Sequence, residues 1–116
     1  MASPRARLLD FALSLPEAWE DKPWEDDTVA KVRRKIFVFF GGPASAQMTV
    51  KLVESHAHAL SIEGARPSPY GLGRSGWVTV PLDADGVDVG LLREWVEESY
   101  RVVAPRKLLA EFDGRK

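Results

Sequence analysis

A chain of 116 residues with 45% hydrophobic and 28% charged side chains has the length of one domain and the composition of an ordinary globular one. Sixteen basic residues against 17 acidic ones leave a formal charge of −1, which excludes nucleic-acid binding by bulk charge and requires any such binding to use a local patch. The absence of cysteine excludes disulfides, thiolate metal sites and cysteine nucleophiles together, and fits a reducing cytoplasm.

Ser3-Pro4 ahead of "RARLLDFALSL" predicts a helix start, with Ser3 as N-cap and Pro4 in the first turn. Leu8, Phe11, Ala12 and Leu15 recur at three- and four-residue spacing and form its core face. Leu15-Pro16 ends it, because proline disfavours helical geometry in the residue before it. These opening residues hold neither a long apolar stretch nor a small-residue cleavage site, so they are read as part of the fold and not as a signal peptide. "AWEDKPWEDDT" suits an edge strand, since Pro23 cannot donate to a central ladder. "VAKVRRKIFVFF" predicts a hairpin, with strands near 28–33 and 35–40 and Arg33 and Arg34 in the turn. Ile36, Val38 and Phe40 alternate with Phe37 and Phe39, so the second strand is apolar on both sides and takes the centre of the sheet.

"GGPASA" reads as a turn and "QMTVKLV" as a strand with one wet face, Met48, Val50 and Leu52 alternating with Thr49 and Lys51. "ESHAHALSI" is a short helix, "ARPSPYGLGRSG" a proline-broken loop and "WVTVPL" the next strand. After the "DADG" turn, "VDVGLLREWVEESYRVV" is the long helix, capped by Asp88, with Leu92, Trp95, Val96, Ser99 and Val103 on one face. Pro105 opens a last helix, "RKLLAEF", and residues 113–116 are expected to fray. The predicted fold is a single α+β domain over 1–116: a two-layer sandwich with an antiparallel sheet of about five strands, helices on one face, and the order α-β3-α-β2-α. No apolar run approaches the roughly 18 residues needed to cross a bilayer.

Gly71, Gly73 and Gly76 have the G-x-G-x-x-G spacing of dinucleotide-binding loops. Such a loop must follow a strand and open a helix whose N-terminus holds the pyrophosphate. Here the order is reversed, with a proline-broken segment before the loop and a strand after it, so the glycines are read as shaping a turn. An anion cradled by loop N–H groups and Arg74 is the sharper variant of that reading.

His56 and His58 lie two apart and point to different faces of a helix, so they cannot share a metal there, and no metal or cofactor is expected. Adjacent acids such as Glu97 and Glu98, or Asp26 and Asp27, diverge and make no acid–base pair. Ser75 lacks the strand-to-helix elbow of a nucleophile. No catalytic constellation is found, and the chain reads as a non-enzyme. Of the four tryptophans, Trp77 and Trp95 sit at core-facing periods; Trp19 and Trp24 lie in a polar segment and form either a lid over one end of the sheet or exposed platforms. "KVRRK" gathers Lys31, Arg33, Arg34 and Lys35 at the hairpin tip, Arg106 and Lys107 begin the last helix, and Arg74 projects from the glycine loop. If these three patches share one face they form a phosphate-contacting surface; otherwise they blunt an exposed hairpin against aggregation.

Three stretches, "LPEAWEDKPW", "AKVRRKIFVFF" and "RPSPYGLGRSGWVTVPL" running on to "LLREWVEESYRVVAPRKL", resemble the YjbR/MmcQ family of small bacterial proteins. The combination of P-x-x-x-x-x-R-x-G-W-V with E-S-Y-x-x-V-x-P-R-K carries the resemblance, which spans nearly the whole chain in order. Family members often have glycine or asparagine where Arg33 and Arg34 stand here. The resemblance implies an α+β fold like that of secretion chaperones and a DNA-binding role, and it carries no catalytic residues. The expected function is a cytoplasmic nucleic-acid (DNA) binding module acting through Lys31, Arg33, Arg34, Lys35, Arg74, Arg106 and Lys107. The alternative is a protein-interaction or chaperone-like module with no nucleic-acid role, as a monomer or homodimer.

Overall fold

A computed structural model describes residues 3–24, 27–42, 44–69 and 72–114. Helix α1 (Pro4–Leu13) begins where the sequence places it: the Ser3 side chain accepts the Ala6 N–H at 3.1 Å, and Pro4 occupies the first turn, where its missing N–H is harmless. Four strands follow, β1 (Ala18–Trp24), β2 (Asp27–Val32), β3 (Lys35–Gly41) and β4 (Gln47–Lys51), then helix α2 (His56–Leu60). A two-residue strand β5 (Arg66–Pro67) and a 3₁₀ turn (Leu72–Ser75) lead into β6 (Trp77–Pro81). Helices α3 (Val89–Val103) and α4 (Arg106–Gly114) complete the chain.

The six strands form one antiparallel sheet in the order β1-β2-β3-β4-β6-β5. The fold is α+β as expected, with six strands where about five were expected: four rather than three precede α2, and two follow it, Arg66–Pro67 pairing with β6 where a loop was read. Strand β1 is the edge that Pro23 foretells.

Two irregularities explain the two-sided apolar character of β3. Ala30 pairs with Val38 but Lys31 with Ile36, so Phe37 is an extra residue; Val29 pairs with Phe39 but Thr28 with Gly41, so Phe40 is another. Each bulge resets the pleat, which lets Phe37 and Val38, adjacent in sequence, both enter the core against the helices. Strict alternation resumes on β4 and β6, where Met48, Val50, Val78 and Val80 join that core.

The core is therefore helix-sided: Leu8, Ala12 and Leu15 from the first helical segment, Leu92, Trp95, Val96 and Tyr100 from α3, and Leu108 and Phe112 from α4. Phe11, expected there too, is partly buried, with the Arg93 guanidinium 4.5 Å from its ring centroid. Trp77 is buried as expected, but on the other side of the sheet. It is only 8% exposed, but its pleat position is opposite to Val78 and Val80, so it lies on the far face of the sheet, edge-on to Phe39 at 5.3 Å. Helix α3 starts at the predicted cap, with Asp88 Oδ1 accepting the Leu91 N–H at 2.8 Å. Helix α4 runs to Gly114, and Arg101 donates to Asp113 at 2.6 Å; residues 115–116 of the stretch expected to fray lie outside the described residues. No helix among the described residues is long and apolar enough to cross a membrane.

Candidate functional site

The β2–β3 hairpin closes in two residues, Arg33 and Arg34, with Val32 paired to Lys35. Arg33 has φ +56, the left-handed region that tight hairpin turns require and that glycine and asparagine adopt most readily. The chain thus puts a long cation where the backbone favours a small residue. Arg33→Gly is expected to leave stability unchanged or raise it by up to about 1 kcal/mol, because relief of the left-handed strain outweighs loss of an exposed ion pair. Chemical denaturation checks this; a loss above about 1 kcal/mol would show that the arginine side chain holds the turn.

This turn faces the corner between α3 and α4. Val32, Arg33, Arg34 and Lys35 from the hairpin and Val102, Val103, Ala104, Pro105 and Arg106 from the corner line a groove of about 620 Å³. Its floor is aliphatic and its rim carries four cations. Pro105 creates the corner: it holds Ala104 in extended geometry (ψ 148), ending α3, and α4 then turns back so that Phe112 and Asp113 meet Tyr100 and Arg101 while Arg106 lines the groove. Two of the three basic patches predicted from the sequence therefore meet.

The other candidate residues are placed differently. Lys31 sits one register step behind the turn, where its ammonium is 2.7 Å from Asp21 Oδ2 and 5.2 Å from the centroid of the Trp19 ring. The Lys31 hydrogen bond holds the Asp21 carboxyl below the usual carboxylate range. A depressed folded pKa means the pair's stabilising effect is present above the ordinary carboxylate range and fades as pH falls through the lowered value. Arg33 faces Glu17 at 3.5 Å across an exposed surface, a pair too solvated to neutralise it. Lys107 is exposed on the first turn of α4, beside the groove but outside its lining. Arg74 lies in the 3₁₀ turn at the same end of the sheet, with β4 intervening between β3 and β6, and does not line the groove.

The glycine loop is spent on its own structure. Gly73 donates its N–H to Ser68 O and Gly76 donates to Gly73 O, both at 3.1 Å, so two of the N–H groups an anion cradle would need are already committed. A Cβ at Gly73 would fall 2.9 Å from Pro67 Cβ, and Gly76 has φ +96 with its carbonyl accepting the Leu52 N–H at 2.9 Å. The loop leads into a strand, as its sequence context requires, and packs against β5 and the end of β4. Gly71 lies outside the described residues.

The E-S-Y run on α3 contains functional-looking groups that prove to be joints. Glu98 accepts the Val53 and Ser55 N–H groups at 2.8 and 3.1 Å and the Ser55 hydroxyl at 2.7 Å, fastening the chain after β4. The Ser99 hydroxyl accepts the Lys51 N–H at 2.9 Å and donates to Phe37 O. Tyr100 donates to Pro16 O at 2.8 Å while its ring meets Phe37 and Phe112 edge-on. Glu97, its neighbour, turns instead to Arg101. His56 and His58 sit on α2, where the His58 ring packs edge-on against Trp95 at 5.4 Å. Among the described residues no group of three or more His, Cys, Asp or Glu side chains is placed to hold a metal ion.

Fold and groove together define a two-layer α+β domain that presents a cationic turn beside the hinge between its last two helices. The model of the YjbR family matches residues 13–102, most of the chain, and the chain belongs to that family. No curated protein matches it.

Proposed function

We propose that this chain is a non-enzymatic, cytoplasmic module that binds nucleic acid by gripping phosphates in the groove between the hairpin turn and the α3–α4 corner. The observation that carries this reading is the meeting of Arg33, Arg34, Lys35 and Arg106 on one rim in a chain whose net charge is −1. Clustered cations on an otherwise balanced surface attract a polyanion locally without making the whole protein sticky. The aliphatic floor contributes no base-specific donors, so contacts at this groove position the backbone and do not read sequence. Lys107 adds charge at long range.

Binding to DNA is expected to weaken steeply with salt. Replacing Arg33 and Arg34 together by alanine is expected to reduce the slope of log K against log salt by roughly 2, about one counterion for each phosphate that is no longer neutralised. Fluorescence anisotropy across a salt series measures this. Absence of binding to both duplex and single-stranded DNA at low salt would end the proposal.

The same aliphatic floor favours a second reading, a protein-interaction module in which Val102 and Pro105 receive an apolar side chain. Apolar burial responds weakly to salt and ion pairing responds strongly, so the salt series separates the two.

A further inference from the structure

Trp19 lies on the edge strand β1 with 43% of its surface exposed, an unusual state for a tryptophan in a chain whose Trp77 and Trp95 are nearly fully covered. It is not loose. Its Nε1–H donates to the carbonyl of Arg33 at 2.8 Å, which ties the indole to the hairpin turn itself. The Lys31 ammonium lies over the ring at 5.2 Å and is held there by Asp21. The ring is therefore fixed along one edge and has a cation over one face, which leaves the opposite face as the one a flat ligand would have to meet. A rigid, partly bare indole beside a rim of arginines combines the two elements single-stranded nucleic-acid sites use: a π surface for a base and cations for the flanking phosphates. A base in a duplex is already stacked on both faces and is not available to such a surface without unstacking.

We infer that Trp19 is a base-stacking platform and that the ligand of this site is single-stranded nucleic acid, its phosphates reaching Arg33 and Arg34 while one unstacked base lies on the indole. This rests on the phosphate-gripping reading of the groove. It adds strand selectivity, which the groove's cations do not provide, since they act on any phosphate backbone.

The test titrates the full-length protein and its Trp19→Ala and Trp19→Phe variants with a labelled oligodeoxythymidylate and with a duplex of equal length, at low salt. Wild type is expected to prefer the single strand. Trp19→Ala is expected to lose about tenfold in affinity for the single strand and little for the duplex. Trp19→Phe keeps a stacking ring but loses the Arg33 hydrogen bond, and is expected to stay close to wild type. Quenching of tryptophan emission by the oligonucleotide is expected in wild type and should shrink in Trp19→Phe. Equal losses in the two variants would mean that the indole only braces the turn, and no loss in Trp19→Ala would mean that no base meets it; either result overturns the inference. Salt-sensitive binding of both strand forms that depends on Arg33 and Arg34 but not on Trp19 overturns the stacking alone. Failure of wild type to bind either form overturns the groove reading and this inference with it.

Discussion

Replacing Ser99 by alanine is expected to destabilise the protein by about 3 kcal/mol, because one buried hydroxyl serves two backbone groups at once. Strands β3 and β4 pair directly at only two positions, Val38 with Val50 and Phe39 with Thr49. Continuing that register brings Phe37 opposite Lys51, where a direct N–H to C=O bond would form if the strands stayed together. Instead the Ser99 hydroxyl is inserted in that rung, taking the Lys51 N–H and giving its own proton to Phe37 O. Ser99 is fully buried, and water has no ready route to replace it. Alanine removes the bridge and leaves a donor and an acceptor unsatisfied, each worth about 1–3 kcal/mol. Thermal unfolding is expected to shift down by about 12 °C, at ~4 °C per kcal/mol for a chain of this size. The exposed Ser75→Ala should shift it by less than about 2 °C, corresponding to the ~0.5 kcal/mol typical of surface changes. A Ser99→Ala protein as stable as wild type would refute the bridging role.

Gly76→Ala is the second large effect expected, a loss of about 3 kcal/mol or more. Two penalties coincide. The backbone at φ +96 is strained for any residue with a Cβ, and that Cβ would fall 2.8 Å from the Leu52 carbonyl oxygen. The obstacle is backbone, held in turn by the Leu52 N–H to Gly76 O bond, so it cannot rotate aside. Urea denaturation of Gly76→Ala against Gly114→Ala makes the comparison, since a Cβ at Gly114 meets nothing within 4 Å. A small loss at Gly76 would show that the 3₁₀ turn re-forms around the methyl group.

What the sequence makes legible here is local. Ser3 and Asp88 announce their helices because capping is a contract between a side chain and the N–H groups two or three residues on. The hairpin is legible because two β-rich runs flank two turn residues. The glycine spacing is interpretable because its neighbours exclude a helix after it. Less legible is whatever depends on partners far along the chain. Bulges at Phe37 and Phe40 have no mark in the sequence of β3, since they express a mismatch with β2. Alternation shows that Trp77 and Thr79 share a face, but not which face the helices cover. Ser99 falls within the apolar stripe of α3, yet its partners at 37 and 51 are set by the sheet. Tyr100, one step beyond that stripe, is buried because Pro16 and Phe112 complete its surroundings. The contiguous polar run E-S-Y on the inner side of an amphipathic helix is the one available hint, as polar groups placed there require buried partners. The basic site was half legible: clustering identifies Arg33, Arg34 and Lys35, whereas the meeting with Arg106 depends on where Pro105 bends the chain.

The inserted serine also has a kinetic meaning. Its hydroxyl joins residues 37, 51 and 99, which come together only when the sheet has formed and α3 has settled onto it. A partly assembled chain with a docked hairpin and a detached α3 has none of this stabilisation. Ser99→Ala therefore reports when α3 docks: docking after the rate-limiting step appears as faster unfolding with an unchanged folding rate, and docking before it as slower folding. At the β3–β4 seam, one side chain of the helix packed across the sheet thus stands where a strand-to-strand bond would otherwise close.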